Sequence, residues 1–113
     1  VDPKIRVNTR PESKVQKAII EYMILRGWYV KVIHSSTFMP GMPDLYVCHK
    51  QYGERWIEVK DPERTGDLFT PAQKDNFPLM SAHGCKIYVL VGATKDEYDK
   101  LFTTPNWWTY IKY

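Results

Sequence analysis

Two acids and a lysine sit at the ends of two strand-like runs. Asp44 opens the run Asp44-Leu-Tyr-Val-Cys48, and Glu58 and Lys60 close the run Arg55-Trp-Ile-Glu-Val-Lys60. Charges in a strand are costly when they are buried without partners, so their presence calls for a use. Paired carboxylates are hard oxygen ligands that suit Mg²⁺ or Mn²⁺ rather than zinc. A lysine beside them can orient an attacking water, adjust its pKa or neutralise charge developing on a phosphate. Together they make a kit for phosphodiester hydrolysis. The plainer alternative is a wet sheet face on which one acid pairs with Lys60, an interaction worth under about 1 kcal/mol.

Whether the three meet depends on the elements that carry them. The linking stretch His49-Lys-Gln-Tyr-Gly-Glu54 predicts a hairpin turn around Gln51 to Gly53. Paired residue numbers then sum to about 102 to 104, which sets Asp44 opposite Glu58 to Lys60. Alternation sends Leu45, Val47, Ile57 and Val59 to one face and Asp44, Tyr46, Glu58 and Lys60 to the other. One face reads as core, and the other carries two acids and a base.

Around this hairpin the chain predicts five further elements and a tail. Thr9-Arg10-Pro11-Glu12 has capping-box spacing and opens a helix over Pro11 to Arg26, with an apolar stripe at Val15, Ala18, Ile19, Tyr22 and Met23 and a stop at Gly27. Trp28 to Ile33 is a β-branched and aromatic strand, and the loop after it carries two prolines and a glycine. Thr70-Pro71-Ala72-Gln73 repeats the capping-box pattern and starts a second helix toward Gly84, in which Pro78 predicts a kink or break. Lys86 to Val91 reads as a strand covered on both faces, and Lys95 to Phe102 as a short helix. Trp107 to Tyr113 reads as a terminal strand or extended arm. The order α-β-β-β-α-β belongs to the α/β class, with a central mixed sheet flanked by helices.

Composition sets the bounds. A chain of 113 residues suits one domain spanning 1–113, and 43% hydrophobic with 26% charged residues is the balance of a globular protein. A net charge of +3 permits a polyanionic partner without requiring one. Cys48 and Cys85 read as buried thiols rather than a disulfide or metal pair. No apolar run is long enough to span a membrane and no secretory leader is visible, so an intracellular location is expected.

With these elements in order, Pro43-Asp44 followed across a hairpin by Glu58-Val59-Lys60 resembles the PD-(D/E)XK nuclease superfamily, whose restriction-endonuclease-like core has the same α-β-β-β-α-β order. More narrowly, the chain resembles the virus-type replication-repair nuclease (VRR-NUC) domain, a group similar to Holliday junction resolvases. That likeness rests on Glu12 with Val15-Gln16, Gly41-Met42-Pro43-Asp44-Leu45, Ile57-Glu58-Val59-Lys60, and Gly66, Leu68, Thr70-Pro71-Ala72-Gln73 and Gly84. The resemblance implies a Mg²⁺- or Mn²⁺-dependent deoxyribonuclease, an endonuclease acting on branched DNA such as Holliday junctions. It implies Asp44, Glu58 and the backbone carbonyl of Val59 as metal ligands and Lys60 as the catalytic lysine. Glu12 matches an acid that completes the site, and Gln73 a glutamine that supports it. Each has a rival role, since each stands at the third position of a capping box and could serve backbone amides alone. A homodimer, an origin in a virus or mobile element, and no small-molecule cofactor or membrane are implied too.

The remaining candidates concern DNA contact. Lys14, Lys17, Lys31, Arg55 and Arg64 could track phosphates, and His34, Ser35 and Ser36 could contact one; wet faces and turn-forming serines are the alternatives. Trp107, Trp108, Tyr110 and Tyr113 could stack on bases or pack against the core or a second subunit. His49 and His83 lack partners at metal-ligand spacing. Three rival functions stay open: a nuclease for another DNA structure or a specific sequence, a catalytically silent DNA-binding module on the same fold, and an interaction protein whose aromatics bind other proteins.

Overall fold

In the computed structural model, residues 11–34 and 38–111 are described, the side chains of residues 11 and 12 excepted. Helix α1 runs Pro11–Leu25 and ends where Gly27 adopts a left-handed φ of 86°, a conformation glycine takes without steric cost. Strands β1 (Tyr29–Val32), β2 (Leu45–His49) and β3 (Gly53–Lys60) form an antiparallel meander. Helix α2 (Pro71–Ala82) then leads to β4 (Ile87–Val91), which pairs parallel to β3. The sheet is mixed, in the order β1-β2-β3-β4. Leu45 pairs with Ile57 and His49 with Gly53, as hairpin register from the sequence predicts.

Both faces of the sheet carry a core. On one, Ile19 and Met23 of α1 meet Leu45, Val47, Ile57, Val59, Tyr88 and Leu90, joined by Tyr98 and Leu101. On the other, Phe77 of α2 meets Ile87 and Val89 together with Phe69, Trp107 and Ile111. The nearly continuous apolar run of β4 is explained by this double cover. The second face of the hairpin is accordingly not a wet one: Glu58 and Lys60 are 1% and 4% exposed.

One expectation is narrowed and another corrected. Pro78 does not break α2, which continues through it to Ala82. The lost backbone hydrogen bond is outweighed by packing on either side, where Phe77 is fully buried and Met80 lies against the second core. The tail from Trp107 forms a single 3₁₀ turn, Trp107–Thr109, rather than a strand, among the described residues. The free edge of β4 is already taken, because the Asn106 side chain accepts from the Val89 N–H at 2.7 Å and donates to its carbonyl at 3.1 Å. Glu97 accepts from the Val91 N–H at 2.6 Å. With β4's edge capped by side chains, the tail turns inward and buries Trp107 and Ile111. The short helix is α3 (Lys95–Asp99), continued by a 3₁₀ turn over Lys100–Phe102. Both cysteines are free and only half-buried. No helix among the described residues is long and apolar enough to cross a membrane.

Candidate active site

The hairpin and the start of α2 bring Asp44, Glu58, Lys60 and Gln73 to one cleft of about 780 Å³, walled also by Ile33, Pro40 to Met42, and Arg64 to Thr70 apart from Thr65 and Gly66. Asp44 lies one residue ahead of β2, and its Oδ2 accepts the Val59 N–H at 2.8 Å, which ties the acid to β3. Glu58 Oε2 accepts two hydrogen bonds, from Lys60 Nζ at 2.8 Å and from Gln73 Nε2 at 2.8 Å. Lys60 also stands over the face of Phe69, with Nζ 4.7 Å from the ring centroid.

Gln73 fills both of the roles open to it. Its Oε1 accepts the Thr70 N–H while Thr70 Oγ1 accepts the Gln73 N–H, both at 3.1 Å, which is a complete capping box. Its amide nitrogen is thereby left to reach Glu58. An amide has both a donor and an acceptor end, so helix capping and site support do not compete.

The electrostatics are unbalanced. Burial and then the negative charge of Asp44 push the Glu58 carboxyl up to about 8, against the opposing pull of Lys60 and Gln73. Glu58 Oε1 is the buried side-chain oxygen left without a hydrogen-bond partner among the described residues. An orphaned carboxylate oxygen next to a second carboxylate fits a hard cation, which would supply the missing partner and offset the repulsion. Among the described residues, no cluster of three or more His, Cys, Asp and Glu forms a fuller metal cage. The Glu12 side chain, expected to complete the site, lies outside the described residues.

One wall of the cleft depends on Gly41. Its φ is +79°, and a Cβ there would meet the Ala72 carbonyl oxygen at 2.4 Å; the Gly41 carbonyl accepts from Asn76 Nδ2 at 3.0 Å. Gly41→Ala is therefore expected to cost about 2 to 4 kcal/mol of stability, through both strain and collision with the α2 backbone. Chemical denaturation would read it, and a loss below about 0.5 kcal/mol would mean that the loop and α2 are not held this closely.

The candidate DNA contacts separate. Arg64 lines the cleft, and Lys14, Lys17 and Lys31 are exposed on α1 and β1. Arg55 is removed from the set: it is buried, with Nε donating to the Leu101 carbonyl at 2.7 Å and Nη1 to the Tyr52 carbonyl at 2.8 Å. An arginine so bound holds the Lys100–Phe102 turn against the hairpin and cannot track a phosphate. Ser35 and Ser36 lie outside the described residues, and so does Tyr113. Trp107 is in the core, Tyr110 receives a hydrogen bond from Lys100 at 2.9 Å, and Trp108 is exposed. Sequence reasoning missed Phe69 as the apolar wall of the lysine; an aromatic in a polar loop directly ahead of a helix cap was the available signal.

No protein-family model and no curated protein matches the chain. A solved structure described as a VRR_NUC domain is similar to it, with a TM-score of 0.66 and 25% sequence identity, covering 83% of this chain and 97% of its own length.

Proposed function

This chain has the VRR-NUC nuclease fold, and from that premise we propose that it is a metal-dependent endonuclease that hydrolyses phosphodiester bonds in branched DNA, Holliday junctions being the first substrate to try. The observation that carries the proposal is the meeting of Asp44, Glu58 and Lys60 in one cleft around an unpartnered buried carboxylate oxygen. Mg²⁺ or Mn²⁺ would be held by Asp44, Glu58, the Val59 carbonyl and Glu12. When bound, such an ion lowers the pKa of a water and takes up charge on the scissile phosphate.

The protein's own groups do the rest. Val59 N–H holds Asp44, and Gln73 and Lys60 hold Glu58 Oε2, so each acid keeps one fixed orientation. Lys60, shielded by Phe69, offers donors within reach of the cleft, where it can position the attacking water or steady a phosphate oxygen. In the hydrolysis a phosphorus–oxygen bond to one nucleoside breaks, a bond to the water oxygen replaces it, the water proton passes to solvent, and the leaving nucleoside oxygen takes a proton from solvent. Arg64 on the rim, and Lys14 and Lys17 on α1, would add phosphate contacts, as would Ser35 and Ser36.

Resolving a symmetric junction takes two cuts related by a two-fold axis, which a homodimer would supply. An intracellular location and an origin in a virus or mobile element go with the family likeness. The test is cleavage of labelled four-way junction, flap, splayed-arm and linear duplex DNA in Mg²⁺, Mn²⁺ or EDTA. Paired, metal-dependent cuts in the junction are expected. Cutting of other forms would keep the chemistry and discard the junction, and binding without cutting in any metal would leave a DNA-binding module.

A further inference from the structure

Phe38 is 93% exposed, more than any other large apolar side chain among the described residues, and Met39 next to it is 52% exposed. The residues that follow, Pro40, Gly41 and Met42, line the cleft that holds Asp44, Glu58 and Lys60. This segment is anchored: Asn76 of α2 holds the Gly41 carbonyl at 3.0 Å, and Gly41 approaches Ala72 too closely to admit a side chain. An aromatic ring is therefore displayed beside an anchored segment, two residues along the chain from the cleft wall at Pro40. Kept in water, so large an apolar side chain forgoes the gain of burial, which an apolar partner covering it would recover.

We propose that Phe38 is a wedge, stacking on or inserting beside the base step that is laid open where a strand leaves the duplex, so that branched DNA is favoured over continuous duplex in the cleft. The proposal rests on the nuclease function proposed above. Apolar side chains placed between base steps are paid back by the contacts the opened DNA can make. Unstacking costs least where the step is already interrupted, and every base offers a π-face, so a ring at this place would select structure rather than sequence. The cleft offers this occupant a phosphate contact in Arg64, and the exposed ring stands two residues along the chain from the cleft wall at Pro40.

The test uses the full chain and a splayed-arm DNA carrying 2-aminopurine at the branch, in EDTA so that binding is read apart from cutting. Wild type is expected to change the fluorescence at the branch several-fold more than at an internal duplex position. Phe38→Ala is expected to lose most of that change and to narrow the branched-over-linear binding ratio about tenfold, the loss of one base–aromatic stack, while Phe38→Leu keeps much of both. Its exposure means that the substitution leaves folding intact, which a thermal melt would verify. An unchanged branch signal and ratio in Phe38→Ala would overturn the wedge. So would a wild-type dimer that Phe38→Ala separates in sedimentation while the branch signal persists, since the ring would then face a second copy. A Phe38-dependent branch signal without cutting in any metal would uphold the wedge and sink the nuclease function. Cutting indifferent to Phe38 would do the reverse.

Discussion

Lys60→Met is expected to cut branched DNA about 10³-fold more slowly than wild type in saturating Mg²⁺ or Mn²⁺. Methionine fills nearly the same space and can lie against Phe69, so the loss should come without unfolding. Two effects combine in it. The donor that would position water or steady the phosphate is gone, and the cation that lowers the Glu58 pKa is gone as well. The second effect leaves more of Glu58 protonated at neutral pH and weakens metal binding. They separate by pH: raising it from about 7 to 9 recovers whatever part came from Glu58 protonation and none of the part that belonged to the lysine donor. A variant that cuts within tenfold of wild type at pH 7 would remove Lys60 from the chemistry and leave it as a counter-ion for Glu58.

The hairpin was legible because its register depends on local facts. A turn around Gly53 and strict alternation on either side put Asp44 and Glu58 on one face, and the observed pairs follow that pattern. What alternation does not report is which face a helix will cover. A wet sheet face is the alternative that sequence leaves open for Glu58 and Lys60, whereas α2 and Phe69 make them part of a buried layer. The same limit applies to Arg55, whose charge suggested phosphate but whose partners, the Leu101 and Tyr52 carbonyls, include one far along the chain. The break that Pro78 could cause and the strand that the Trp107 tail could form are absent among the described residues for a related reason. Local rules for proline and for β-rich aromatics are weak terms of about 1 to 3 kcal/mol, and tertiary packing of Phe77, Trp107 and Ile111 outweighs them. Gln73 shows the converse: two local signals that seemed exclusive are satisfied by two ends of one amide.

Asp44→Asn is expected to invert the order of stability between variant and wild type according to whether metal is present. Asparagine can still present an oxygen to the Val59 N–H, so the tie to β3 survives while the charge disappears. In EDTA, wild-type Glu58 keeps its proton up to about pH 8 when folded but loses it near the ordinary 4.5 when unfolded. Between those values the native state binds more protons than the unfolded one, so stability falls as pH rises and levels off above about 8. The full penalty is on the order of 5 kcal/mol at about 1.4 kcal/mol per pKa unit. Burial is its largest cause and the Asp44 charge the second, so Asp44→Asn should recover part of it, about 1 to 2 kcal/mol at pH 8 and little at pH 5. Adding Mn²⁺ or Mg²⁺ at about 100 times its dissociation constant should stabilise wild type by about 2.7 kcal/mol and the variant hardly at all, because one ligand carboxylate is lost. Thermal melts across pH 5 to 9, with and without metal, would read both halves. A wild-type profile in EDTA that does not fall over this range would mean that Glu58 is not held protonated, and equal stabilisation of both proteins by metal would place the ion somewhere other than between Asp44 and Glu58. If both halves hold, the pair is one the fold tolerates at a cost in stability, and a cation is what relieves that cost.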